Sequence, residues 1–322
     1  MLVYAPLESV DMRYTTHLDN DIRKYLKKYY KKEYTILDPD TFNTPMKKGQ
    51  FLNAKDTIFR QFNQFNLFLS LLVKGKIPKD TIYFTTDIWN IAVLSIPYIN
   101  FFEEYNIKLQ GVLHAGSFTD TDFVREMERQ YKGFEESIFD IADKIFVASE
   151  FIKNDVIKKR YVNPDKIISS GLPLNEDLDK YKPKTKKENI IIFNGRNCDE
   201  KQPYLLEEVA RINPTFKCIN TQLEGLSKNE YYELLNKSKI VISFALQENF
   251  GYGIQEAVKL GCIPILPNRL VYPELYKKEY LYNNFLECNE MINKVSLGKI
   301  KQPKQIVNNV KQYNKSIFNT WF

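Results

Sequence analysis

Short apolar, β-branched or aromatic runs alternate along this chain with longer stretches in which apolar residues recur every three or four positions. Leu2–Pro6, Thr35–Leu37, Thr81–Phe84, Lys108–Leu113, Lys144–Ala148 and Lys166–Ser169 read as strands. Between them Leu18–Tyr30, Asn53–Lys74, Asp122–Ala142 and Glu150–Lys159 carry the helical period. Phe59, Phe62, Phe65, Phe68, Leu69 and Leu72 share one broad helical stripe, which predicts a core-facing side. A polar stretch, Asp177–Glu188, holds a proline and many charges and reads as a linker. The alternation then restarts: strand Asn189–Phe193, helix Pro203–Ile212, strand Phe216–Asn220, helix Ser227–Lys237, strand Ile240–Ser243, helix Gly253–Leu260, strand Ile263–Leu266. Strand–helix alternation on both sides of a linker predicts two α/β domains, residues 1–178 and 179–304, each with a mainly parallel sheet. The segment Gln305–Phe322 is amphipathic and predicts a helix that packs back across both. Ligands of such sheets bind beyond the carboxyl ends of the strands, so chemistry is expected in strand-to-helix loops facing a cleft.

Composition narrows the class. Of 322 residues, 43% are hydrophobic and 27% charged, enough for packed cores and incompatible with a disordered or collagenous chain. No apolar run reaches the ~20 residues that span a bilayer. The longest, around Ile88–Ile99, contains Asn90 and Pro97. The N-terminal MLVYAPLESVDMRY has acidic residues where a signal peptide needs a basic region before an apolar stretch. The expectation is a cytoplasmic protein without stable membrane insertion. A net charge of +6 suits nucleic acid, anionic lipid or phosphorylated small molecules and selects none of them. Four widely spaced cysteines, no CxxC and two histidines argue against a zinc site or a disulfide framework.

Three strand-ending loops carry candidate chemistry. In Ile190–Lys201 an apolar strand ends at Gly195, followed by Arg196 and Lys201, two cations placed to clamp a diphosphate and stabilise it as it departs. Taken alone, such cations are more often solvated. In the second, a strand leads through Glu248, Asn249, Phe250, Gly251 and Tyr252 to a helix starting near Gly253, with Glu256 in its first turns. Two glycines let a ligand approach the backbone, and the helix N-terminus favours a phosphate. Helix-dipole complementarity for Glu256 and surface exposure for Glu248 are the plainer explanations. The third is Leu109–Phe123, where His114 ends a strand before Gly116, Ser117, Asp120 and Asp122. A strand-end histidine is either hydrogen-bonded structure or a group aimed at the ligand; the shortage of histidines favours the second. Asp120 and Asp122 mimic a metal-binding pair and equally fit helix capping. Capping is the expectation for Asp120, with Asp122 kept as a polar cleft residue.

The run from Glu248 to Pro264 resembles the E-x7-E signature of retaining glycosyltransferases of the GT-B fold, and Gly195-Arg196…Lys201 resembles their phosphate-clamp loop. The resemblance implies a nucleotide-sugar donor, a UDP-sugar foremost, and no required metal. It implies that Glu248 holds sugar hydroxyls and Glu256 the nucleotide ribose. Gly195 and the loop Asn249 to Gly253 would meet sugar and diphosphate, Arg196 and Lys201 the phosphates, and His114 the sugar near the reacting centre. Tyr252-Gly253 departs from the family, where a proline often follows the second loop residue. Transfer would follow a front-face route in which the departing phosphate accepts the acceptor's proton, so no enzyme nucleophile is needed.

For the acceptor, Glu8, Asp11 and Arg13 follow the first strand and, with Ser117, are candidates; a local Asp11–Arg13 pair is an equal alternative for that loop. Asp11-Met-Arg-Tyr-Thr with Leu113–Phe118 and Asp122-Phe is similar to bacteriophage-encoded glycosyltransferases, some of which modify hydroxymethylated bases in DNA. That resemblance implies a DNA acceptor and a host-cytoplasmic location. The basic, tyrosine-rich Arg23–Lys32 suits nucleic acid, although such a run is usually a solvated helix face. A saccharide, lipid or small-molecule acceptor, or a non-catalytic nucleotide-sugar or nucleic-acid binder on the same scaffold, are the competing readings.

Overall fold

A computed structural model describes residues 1–9, 14–39, 53–184, 186–303, 307 and 309–322. Asp11, Arg13 and the predicted helix start at Gln305 lie outside these residues. By its internal contacts the chain divides into two units, Met1–Gly171 with Phe318–Phe322, and Leu172–Ile317. The contact division falls between Gly171 and Leu172, a few residues ahead of the Leu178 boundary expected from sequence. Leu178 is fully buried, in a 3-10 turn over Glu176–Lys180.

The first unit alternates β1 (Leu2–Ala5), α1 (Tyr14–Tyr29), β2 (Tyr34–Ile36), α2 (Ala54–Val73), β3 (Asp80–Thr85), α3 (Ile96–Phe102), β4 (Asn106–Leu113), α4 (Glu128–Ile141), β5 (Lys144–Val147), α5 (Glu150–Lys159) and β6 (Ile167–Ser169). Its strands pair in parallel in the order β2-β1-β3-β4-β5-β6. The central strands are largely buried, as expected of a parallel sheet; β1 is buried at every position and β4 from Leu109 to Leu113. Strand order reverses between β1 and β3, which makes the loops after them the switch-point crevice. The chain's end belongs to this core: Phe322 lies 4.7 Å edge-on to Phe84, and Trp321 donates Nε1–H to Ser170 Oγ at 3.0 Å.

Two expectations change here. The helix expected from Asp122 is a 3-10 turn over Phe123–Met127 followed by α4, because Asp122 accepts Val124 N–H at 3.1 Å and caps the tight turn. Along α2 only part of the aromatic stripe is core: Phe65 and Phe68 are buried, while Phe59 and Phe62 are 42% and 50% exposed.

The second unit alternates β7 (Glu188–Phe193), α6 (Leu205–Ile212), β8 (Lys217–Asn220), α7 (Lys228–Lys237), β9 (Ser238–Ile242), α8 (Tyr252–Lys259), β10 (Ile263–Pro267), α9 (Tyr272–Leu275), β11 (Leu281–Tyr282) and α10 (Phe285–Ser296), followed by α11 (Val310–Trp321), whose residues up to Ile317 belong to it. Its parallel order is β11-β10-β9-β7-β8, reversing between β7 and β9. The loops after β7 and β9 are the two with clamp cations and carboxylates, so topology alone brings them together. Ser227 and Glu230 form a reciprocal capping box that starts α7. In α11, Asn314 is fully buried and clamps the Leu174 backbone with hydrogen bonds of 2.9 and 2.7 Å. Among the described residues no helix is long and apolar enough to cross a membrane.

Candidate functional site

In the second unit Glu248 lies at the centre of the switch-point loops. Its Oε1 accepts the N–H groups of Asn249, Phe250 and Gly251 at 3.1, 3.4 and 2.9 Å, and its Oε2 lies 3.3 Å from Lys201 Nζ. Burial works to raise the pKa of this carboxyl, but the Lys201 charge and the Gly251 and Phe250 amides outweigh it and hold the group ionised below its ordinary range. Gly251 adopts φ +73° as the N-cap of α8, a left-handed conformation that glycine takes without strain. These loop amides, expected to meet sugar and diphosphate, turn inward to the carboxylate that precedes them.

Lys201 is 6% exposed and donates to the Gln247 carbonyl oxygen, to Gln247 Oε1 at 3.3 Å and to Glu248 Oε2, which engages all three of its protons. Arg196 is ion-paired with Glu200, and its side chain is 40% exposed. Leu246 N–H donates to the Glu200 carbonyl at 2.7 Å, so the loop after β7 and the loop after β9 are tied through main chain as well. Gly195 follows β7, where a Cβ would come within 2.9 Å of Phe193 Cζ.

Glu256 is 4% exposed on α8. Its Oε1 accepts from Tyr232 Oη at 2.9 Å and from Lys228 Nζ at 3.2 Å. Asn175 in turn donates to Tyr232 Oη at 3.0 Å, and Asn194 to Tyr231 Oη at 3.2 Å. Burial, then the Glu256 charge, push the Tyr231 and Tyr232 hydroxyls far above the ordinary phenol range. Gly253 faces Asn194, whose Nδ2 would stand 2.7 Å from an added Cβ, so the close approach requires glycine. Phe250 is buried, packed edge-on to Tyr252 at 4.8 Å, and Asn249 Oδ1 accepts from Gln247 at 3.1 Å.

In the first unit His114 follows β4 directly, half-buried, and its Nε2 donates to the Thr86 carbonyl at 2.8 Å, since a carbonyl only accepts. Burial holds the imidazole below its ordinary pKa, against the Asp87 charge and the Thr86 hydrogen bond, and so favours the neutral form. Asp87, after β3, accepts Trp89 N–H at 3.0 Å; burial raises its carboxyl against the charge of His114. Two titratable groups thus sit beyond neighbouring parallel strands. Glu8, after β1, accepts from Thr57 Oγ1 at 3.2 Å.

Ser117, an acceptor candidate in the sequence, lies inside a buried hydrogen-bond network. It is fully buried: its N–H and Oγ bond Glu135 at 2.5 and 2.9 Å, and Arg160 donates to its Oγ at 3.1 Å. Glu135 and Arg160 are themselves 0% and 1% exposed and paired at 2.8 Å, and Trp89 Nε1 also donates to Glu135. Asp120 is exposed and paired with Lys159 at 2.7 Å, so the cap is Asp122. Among the described residues no three His, Cys, Asp or Glu side chains gather as metal donors.

Several of these groups have no local signature. Gln247, Lys228, Tyr231, Tyr232, Asn175 and the Glu135–Arg160 pair reach their places through contacts distant in sequence. Asn194, by contrast, directly follows β7, and Asp87 lies two residues past β3, so both fit the rule that found His114.

The paired switch-point sheets define the fold as GT-B, two Rossmann-like domains, and solved structures agree along the whole chain. Sucrose-phosphate synthase from Thermosynechococcus elongatus superposes with a TM-score of 0.67 at 10% identity, covering 100% of this chain and 94% of that one. The lipopolysaccharide outer core galactosyltransferase WaaB, in its apo form, gives 0.63 at 13% identity and 99% of both chains. A UDP-GlcNAc 2-epimerase from Neisseria meningitidis, bound to UDP-GlcNAc, gives 0.59 at 12% identity, with 99% and 98% covered. At such identities the likeness establishes the fold alone. No family model matches the chain. In sequence, 96 residues are 40% identical to a tRNA-queuosine alpha-mannosyltransferase of Drosophila melanogaster; the match covers 30% of this chain and about a quarter, 26%, of that relative.

Proposed function

We propose that this protein is a retaining glycosyltransferase that moves a sugar from a nucleotide-sugar donor to a hydroxyl on a modified nucleobase in nucleic acid. The observation that carries the reading is the ionised Glu248 carboxylate, held between Lys201 and the Gly251 amide at the start of α8, with Glu256 just over one turn into that helix. Both lie where the strand order reverses. The mannosyltransferase match supports glycosyl transfer over other chemistry on this fold, and a structure of the same fold that holds UDP-GlcNAc supports the donor class.

Arg196, Lys201 and the N-terminus of α8 stabilise the diphosphate as the bond from its oxygen to the anomeric carbon breaks. Glu248 accepts hydrogen bonds from sugar hydroxyls through lone pairs left over from its amide contacts, and Glu256 serves the ribose. His114 contacts the sugar as a neutral imidazole. The acceptor oxygen bonds to the anomeric carbon on the face the phosphate leaves, and the departing phosphate takes its proton. No metal enters this scheme.

A hydroxymethylated pyrimidine in DNA is one acceptor of this kind; a modified tRNA nucleoside is the second, and the relative acting on tRNA-queuosine favours it. Incubation with a nucleotide-sugar panel and either hydroxymethylated DNA or total tRNA, followed by digestion and mass spectrometry, distinguishes them. A hexose or pentose adduct on a base of one polymer is the expected result. No adduct on either would remove the nucleic-acid reading and leave a saccharide, lipid or small-molecule acceptor. Glu248→Ala is expected to abolish transfer while keeping the native circular dichroism spectrum.

A further inference from the structure

Three cations of the candidate site each face a carboxylate. Lys201 pairs with Glu248 at 3.3 Å, Lys228 with Glu256 at 3.2 Å, and Arg196 with Glu200. The three pairs cancel, so an arriving diphosphate meets no net positive charge from them. Glu248 and Glu256 have work in the proposed reaction. Glu200 has none there, yet its side chain is only 12% exposed and its backbone is tied to Leu246 N–H, which keeps its carboxylate beside Arg196 as a phosphate approaches.

We propose that Glu200 is a fixed counter-charge that holds Arg196, limits the affinity of the site for diphosphates, and does so most strongly for the spent nucleoside diphosphate. The inference rests on the nucleotide-sugar reading above. A nucleotide sugar carries two negative charges on its diphosphate, both esterified. The released nucleoside diphosphate carries about one more at neutral pH, because its terminal phosphate has a second ionisation near 6. A carboxylate fixed beside the clamp repels the product more than the donor, since Coulomb energy scales with the charge it meets. Glu200 thereby favours product departure after transfer, and Arg196 exchanges between Glu200 and phosphate as donor arrives.

Calorimetric titration of the full chain tests this with two probe pairs, UDP with UDP-glucose and GDP with GDP-mannose; the pair that wild type binds more tightly carries the measurement. In Glu200→Gln the nucleoside diphosphate is expected to bind on the order of tenfold tighter, the nucleotide sugar by less, with the difference shrinking at high salt. Glu200→Asp keeps the charge and is expected to keep the wild-type ratio. Glu200→Ala repeats the test if the Gln variant loses its cooperative melt. A purely structural role would weaken both ligands together. An unchanged ratio, or weaker nucleoside diphosphate binding in both neutral variants, would overturn the inference and leave the nucleotide-sugar reading standing. Absence of binding by either pair to wild type would remove both.

Discussion

Glu248 is the residue on which sequence and geometry converge, and its carboxylate has a measurable signature. Its pKa in the folded chain is depressed below the ordinary ~4.3 by Lys201 and the loop amides. The ionised form therefore stabilises the fold above the unfolded value, and that contribution is lost as pH falls through the folded one. Urea titrations of wild type and Glu248→Gln should show a stability gap that is constant from neutral pH to about 5 and closes in more acid solution. A gap that widens on acidification would contradict the ionised assignment. Gly251 offers a second check. An added Cβ would meet Tyr272 Cε1 at an ordinary 3.5 Å, so Gly251→Ala should cost only the left-handed strain, about 1–2 kcal/mol in urea unfolding. These residues were legible because strand-ending glycines and charges stand next to one another in the chain. The partners of Ser117 were not legible in that way: Glu135 and Arg160 stand 18 and 43 positions away.

Elements were legible where burial dictates pattern. Parallel strands covered on both faces must be apolar throughout, and ten of the strands lie within or beside the expected segments for that reason. α3 escaped notice because Pro97 reads as an interruption, whereas in the first turn of a helix proline costs nothing. α4 and α5 are joined by a feature no periodicity reveals, the buried Glu135–Arg160 pair that also fastens the loop following His114. Removing one partner leaves an uncompensated buried charge. Glu135→Ala is thus expected to destabilise the first unit by about 3–5 kcal/mol, read by guanidinium unfolding. A loss below ~1 kcal/mol would show that the network carries no weight.

At the scale of the whole molecule, the +6 charge proves a poor guide to function, because Arg196, Lys201 and Lys228 of the candidate site are each paired with a local carboxylate. The GT-B fold is similarly permissive, hosting a synthase, a galactosyltransferase and an epimerase among the neighbours of this chain. What separates these chemistries is the fate of the bond between sugar and diphosphate. The most direct test is proton NMR of a nucleotide-sugar panel incubated with wild type and with Glu248→Ala, without acceptor. A transferase slowly hydrolyses one donor to nucleoside diphosphate and free sugar, and the variant leaves that donor intact. Epimerised sugar still joined to its nucleotide, or equal turnover by wild type and variant, would contradict the account.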